Sequence, residues 1–116
     1  SRLTTDKWRD RNSKADILTE EKNMWGATIK FTIKDGLETE FESKAQTFLE
    51  QAKVNEEGIV FYDLFMGEEK TYHWIEIFEN KQSHETHFKQ DATQDFFKFM
   101  GPLFEGKPEF RSFESV

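Results

Sequence analysis

The feature that most constrains this chain is a repeated change of hydrophobic period. Trp25, Ala27, Ile29, Phe31 and Ile33 are apolar and alternate with Gly26, Thr28, Lys30 and Thr32. A period of two that includes β-branched residues predicts a half-buried strand. The turn pair Asp35-Gly36 closes it. The period then lengthens. Phe41, Ala45, Phe48, Leu49 and Ala52 recur at helical spacing among charged residues, which predicts an amphipathic helix of about four turns. Acidic residues crowd its start, where the helix dipole favours them. Asn55-Glu56-Glu57-Gly58 ends it, with Gly58 expected in a left-handed backbone conformation.

The period returns to two for Ile59–Met66 and again for Tyr72–Phe78, joined by the short polar run Gly67-Glu68-Glu69-Lys70. Such a pair predicts a hairpin. A second helical region starts near Lys81, with His84, His87 and Phe88 on one side. It resumes near Thr93 with Phe96, Phe97 and Met100, and Gly101-Pro102 breaks it. A last strand is predicted over Glu109–Ser115, with Phe110 and Phe113. The order β-α-β-β-α-β is the split βαβ arrangement of a ferredoxin-like α+β domain, an antiparallel sheet with its helices on one face. That domain spans residues 25–116. Residues 1–24 are polar, with scattered Leu3, Trp8, Ile17, Leu18 and Met24, and are expected to form an appendage.

Helices on one face leave the other to be covered or solvated. Here the strands are apolar on both sides. Ile59, Phe61 and Phe65 alternate with Val60, Tyr62, Leu64 and Met66, and Ile75 and Ile77 oppose Tyr72, Trp74 and Phe78. A bare apolar sheet face is a liability in a monomer, so a homodimer packed face to face is expected.

Composition narrows the function classes. The chain has 16 Lys and Arg against 23 Asp and Glu, a net charge of −7, so no basic face can dominate and nucleic acid is not an expected partner. There is no cysteine, which excludes disulfides, thiolate catalysis and cysteine-held metals. No apolar run approaches a membrane span, no signal-peptide core is present, and a cytoplasmic location is the expectation. The 13 Phe build an economical core, or wall a pocket for a small apolar or aromatic ligand.

Several blocks resemble the antibiotic biosynthesis monooxygenase family. Gly58-Ile59-Val60-Phe61-Tyr62, following Glu56-Glu57, is similar to that family's Glu-Pro-Gly leading into a strand with Tyr four places after the Gly. Ile75-Glu76-Ile77-Phe78-Glu79 resembles its Glu-x-Trp-Glu block, and His87 stands where the family places a His. Ile33-Lys34-Asp35-Gly36 and Glu40-Phe41 resemble its first strand, turn and following Glu-Phe. The likeness is collinear over roughly residues 26–115. Phe78 replaces the family's Trp, and Asp95 stands near a second family His. The haem-degrading branch, with Asn in strand one and Trp in strand three, is not matched. The resemblance implies a dimeric α/β barrel and a cofactor-independent monooxygenase. Its substrate would be a small aromatic, polyketide-like or quinol-like molecule, deprotonated to a carbanion or enolate that reacts with dioxygen. It equally admits an isomerase like the autoinducer-2-processing relatives. The rival is a non-catalytic dimeric barrel, a ligand-binding or stress-associated module, since one fold hosts many functions.

Within that frame His87 is the candidate base or polar anchor, an imidazole being suited to proton transfer near neutral pH. Its plain alternative is a helix histidine bonded to backbone or solvent. Glu76 shares a strand face with Tyr72, Trp74 and Phe78 and is the candidate carboxylate to orient His87. Its plain alternative is a structural glutamate. Tyr62, Trp74, Phe78, His84, Phe88 and Phe96 are the candidate pocket walls, with core packing as the alternative for each. His84 and His87 lie three apart on a helix, but no compact third and fourth ligand accompanies them, so no metal and no cofactor is expected.

Overall fold

The structure, a computed structural model, describes residues 23–116, and the predicted appendage up to residue 22 lies outside the described residues. The elements are β1 (Trp25–Phe31), α1 (Glu38–Asn55), β2 (Ile59–Met66), β3 (Tyr72–Phe78), α2 (Lys81–Lys89), α3 (Asp91–Met100) and β4 (Glu109–Glu114). All pairings are antiparallel, and the sheet order is β2-β3-β1-β4. This is the ferredoxin-like α+β fold that the alternating periods predict. β1 is shorter than its alternation, because Ile33 has left the ladder to form a lone bridge with Phe104. The second helical region is two helices, separated at Gln90 by an extended backbone (φ −64°, ψ 139°).

Why these residues form these elements is visible in what they bury. β3 alternates strictly: Tyr72, Trp74, Glu76 and Phe78 are buried, and His73, Ile75 and Ile77 are half-buried. The first set faces the helices. Phe41, Ala45, Phe48, Leu49 and Ala52 are the buried stripe of α1, as their spacing predicts. Complete burial of a ring such as Phe41 or Phe78 contributes about 1.5–3 kcal/mol each. Phe48 and Phe96 stack across the α1–α3 contact with centroids 4.6 Å apart, and Phe31, Phe41 and Phe78 are buried with them.

Two local readings differ from expectation. In β2 the register with β3 slips between Ile59 and Phe61, so that Ile59 pairs with Phe78 and Phe61 with Ile77. This bulge at Val60 turns Ile59 to the helix side with Tyr62 and leaves Phe61 and Phe65 on the other face. Gly58 is not in the left-handed region, which among glycines holds Gly36 (φ 88°) and Gly106 (φ 79°). Gly58 is instead a close-approach glycine: a Cβ there would overlap the Oγ and Cβ of Ser83. It lets α2 press its first turn onto the end of α1. That turn is capped by Asn80, whose Oδ1 accepts from Ser83 N at 2.8 Å.

The face away from the helices carries Phe61, Ile75, Ile77, Phe65 and Phe113, the last two about half exposed (46 % and 51 %). Among the described residues no helix is long and apolar enough to cross a membrane.

Candidate functional site

α2 delivers its two histidines to different places. His87 reaches the β2 side, against Phe48, Tyr62 and Phe78. His84 reaches the β1 side, against Trp25 and Phe78. Three residues are slightly less than one turn, so the helix axis separates what the shared face suggests would be together.

His87 is 1 % exposed, and both ring nitrogens are engaged. Nδ1 lies 2.9 and 3.0 Å from the carboxylate oxygens of Glu56, and Nε2 lies 2.9 Å from the Tyr62 hydroxyl. A carboxylate only accepts, so Nδ1 carries a proton and donates it to Glu56. Burial pushes the Tyr62 phenol far above its ordinary value, and the negative charges of Glu76 and Glu56 push the same way, against a contact from Trp74. Tyr62 therefore keeps its proton and donates to Nε2. The result is a directed series, Tyr62 to His87 to Glu56, from the sheet to the end of α1.

Glu56 occupies the outer end. It caps α1 with an extended backbone (φ −120°, ψ 112°), its N–H still donating to Ala52 O at 2.9 Å. That break aims the side chain under α2, where it keeps 16 % exposure. Glu56 also lines a cavity of about 390 Å³, together with Gly58, Phe78, Asn80, Ser83 and Thr86. The volume lies in the range of small-molecule pockets, roughly 300–1,000 Å³.

These positions correct part of the expected site. Glu76 does not orient His87; Glu56 does, because Glu76 lies opposite Tyr62 in the β2–β3 register, where its carboxylate faces His84 Nε2 at 3.6 Å. The cavity beside this series is mainly polar, and His87 stands behind Glu56 rather than in its wall. The six candidate wall residues do not enclose one space. Phe78 lines the Glu56 cavity, while Phe96 lines a separate hollow of about 450 Å³ between α1 and α3 with Phe48, Lys44 and Asp95. Tyr62 and Trp74 are buried among packed rings, 5.5 Å between centroids. His84 and Phe88 pack edge to face at 4.5 Å. His84 and His87 share no carboxylate, and no group of three or more potential metal ligands occurs among the described residues.

Strand periodicity points to Glu76 and does not reveal Glu56. The signal for Glu56 lay in the Glu56-Glu57-Gly58 block, where a carboxylate precedes the strand that carries Tyr62.

Residues 24–98 match the family model for antibiotic biosynthesis monooxygenase. Among solved structures, the chain is similar to a candidate antibiotic biosynthesis monooxygenase from Caulobacter crescentus. The TM-score is 0.77 at 21 % identity, over 90 % of this chain and 98 % of that one. A conserved protein from Methanosarcina mazei gives a TM-score of 0.76 at 16 % identity, over 84 % and 98 %. A candidate antibiotic biosynthesis monooxygenase from Nitrosomonas europaea gives 0.73 at 10 % identity, over 80 % and 90 %. At these identities the likeness is one of fold. No curated protein matches the sequence.

Proposed function

The chain belongs to the antibiotic biosynthesis monooxygenase family, and from that premise we propose a cofactor-independent, monooxygenase-like oxidation of a small quinol-like aromatic substrate beside Glu56. The observation that carries this reading is the buried series in which His87 is held at 2.9 Å on both sides, by Glu56 and by Tyr62. Glu56 is the member that meets the cavity, so it takes the substrate proton. His87 holds the carboxylate in place through its Nδ1–H, and Tyr62 fixes the ring from behind. Phe78 offers a flat wall, and Asn80, Ser83 and Thr86 offer partners for ring hydroxyls.

The chemistry balances with dioxygen as the co-reactant. Loss of a proton to Glu56 leaves an enolate or carbanion, whose carbon bonds to one oxygen atom of dioxygen. The peroxide takes up a proton. Its O–O bond then breaks as the remaining C–H bond of that carbon gives up its proton to the departing hydroxide, so that one oxygen stays on the carbon as a carbonyl and the other leaves as water. A positioned general base contributes about 10²–10⁴-fold. Oxygen uptake with 1,4-naphthalenediol is therefore expected to fall by about that factor in Glu56→Gln, with a smaller loss in His87→Ala. Rates equal to the wild type in both would sink the reading.

The complete burial of His87 and Tyr62 favours a second reading, a non-catalytic ligand-binding module in which the series is structural. Saturable binding of the diol without oxygen uptake would select it. Both readings include a homodimer joined through the Phe61, Ile75 and Ile77 face, and a cytoplasmic location.

A further inference from the structure

The residues before Asn23 lie outside the described residues, but the point at which the chain enters the fold does not. Trp25, Phe78 and Ile59 stand side by side across β1, β3 and β2. The Glu56 cavity lies at that same end of the sheet. Its wall comes from Asn55 to Gly58, just ahead of Ile59, and from Phe78, Asn80 and Ser83 at and beyond the end of β3. Two strand spacings, about 10 Å, separate the start of β1 from the start of β2. The cavity also has a charge that the oxidation reading leaves unused. Glu56 and Glu57 bring carboxylates, Asn55 and Asn80 bring amide oxygens, and none of the ten lining residues is Lys, Arg or His. The neighbouring cations are engaged elsewhere: Lys53 pairs with Asp63 at 3.6 Å, and Lys81 Nζ lies 5.2 Å over the Trp25 ring. Asn55 is the last residue of α1, so the negative end of that helix dipole meets the cavity as well. The positive end of α2 opposes it, with its Ser83 N–H already taken by Asn80 Oδ1.

The sequence ahead of Asn23 holds the opposite charge. Lys7-Trp8-Arg9-Asp10-Arg11 places three cations in five positions, whereas residues 23–116 carry 10 Lys and Arg against 18 Asp and Glu. We propose that the segment Lys7–Arg11 docks on its own domain at this cavity, with the guanidinium groups of Arg9 and Arg11 meeting Glu56 and Glu57. A guanidinium presents its N–H groups in a planar fork that fits a carboxylate, and it has no acceptor to leave unmet. The Glu56 oxygens that accept from His87 Nδ1 keep lone pairs for a second donor. Reach favours the same molecule: an extended chain spans at least about 3.3 Å per residue, so the 13 positions from Arg11 to Met24 cover about 43 Å, several times the distance required. Segment and diol then share one cavity, and turnover requires the segment to leave. That consequence rests on the oxidation reading; the docking does not.

The test uses the full chain. It has no cysteine, so Thr5→Cys carries a single spin label beside the segment. Paramagnetic broadening of the backbone amide NMR signals is expected at Glu57, Gly58, Asn80 and Ser83, and not at Thr47 and Phe99 in the separate hollow between α1 and α3. Arg9→Ala with Arg11→Ala is expected to lower the ratio of docked to free segment at least about tenfold, the effect of one charge-assisted hydrogen bond. Glu57→Lys is expected to act in the same direction, and Arg9→Glu with Arg11→Glu in that chain to restore part of the broadening. These substitutions change exposed or unpacked charges, so the melting temperature serves as the control for folding. Broadening spread evenly over both sets of signals, or left unchanged by the Arg9 and Arg11 substitutions, would overturn the docking. So would broadening that is lost when the labelled chain is diluted into unlabelled chain, since the segment would then sit on a second copy. Docking without oxygen uptake from the diol would retain the inference and remove only the oxidation reading.

Discussion

Tyr62→Phe deletes one oxygen from the middle of the molecule and makes two opposite changes at different pH. At pH 8 the ring stays and only the hydroxyl on His87 Nε2 is lost. His87 is 1 % exposed, so no water replaces the partner, and an orphaned buried acceptor costs about 1–3 kcal/mol. At high pH the sign turns. Tyr62 ionises in the unfolded chain near its ordinary value of 10.0, while burial holds the folded phenol well above it. Above about pH 10 the unfolded state therefore binds fewer protons than the folded one, and stability falls by about 1.4 kcal/mol per pH unit. The variant lacks this loss. Tyr72, also pushed up by burial and by its 2.6 Å bond to Glu42, is present in both proteins and cancels in the comparison. Urea unfolding from pH 8 to 11 is expected to show Tyr62→Phe less stable at pH 8, with the deficit about 1.4 kcal/mol smaller at pH 11. A gap that stays constant across that range would refute the assignment of Tyr62 as a buried, protonated donor. No deficit at pH 8 would refute the bond to His87.

Two further changes probe the scaffold. Gly58→Ala forces a Cβ into Ser83 and is expected to cost about 1–3 kcal/mol, read as a lower melting temperature; Ser83→Gly in the same chain should restore part of it, and an unaffected Gly58→Ala would show that α2 does not need the close approach. The parent is expected to sediment as a dimer and Ile77→Lys, on the open sheet face, as a folded monomer; a parent that already sediments as a monomer would remove the proposed interface.

The order of elements was legible because each element buries one stripe, and a stripe writes its period into the sequence. β1, α1 and β3 follow it closely: the buried residues of α1 are those at helical spacing, and β3 alternates without a break. What periodicity does not carry is a change of phase. One extra residue at Val60 moves Ile59 to the opposite face from Phe61, and nothing in Ile59-Val60-Phe61 distinguishes a bulge from an unbroken apolar strand.

The site was legible residue by residue but not pair by pair. Period-two logic correctly puts Glu76 on the helix-facing side with Trp74 and Phe78, and helical spacing puts His84 and His87 on one side of α2. Which histidine meets which carboxylate depends on how α2 is seated on the sheet, and its first turn sits so close to Gly58 that a Cβ there would overlap Ser83. With the helix so placed, His87 falls over Tyr62 and the end of α1, while His84 falls over Glu76 and Trp25. Glu56 then reaches His87 across 31 positions of sequence because α1 stops at Asn55 and the next residue is extended. The carboxylate that bonds to His87 is thus chosen by where a helix ends, so a one-residue extension of α1 would dismantle the series without altering any of its three side chains.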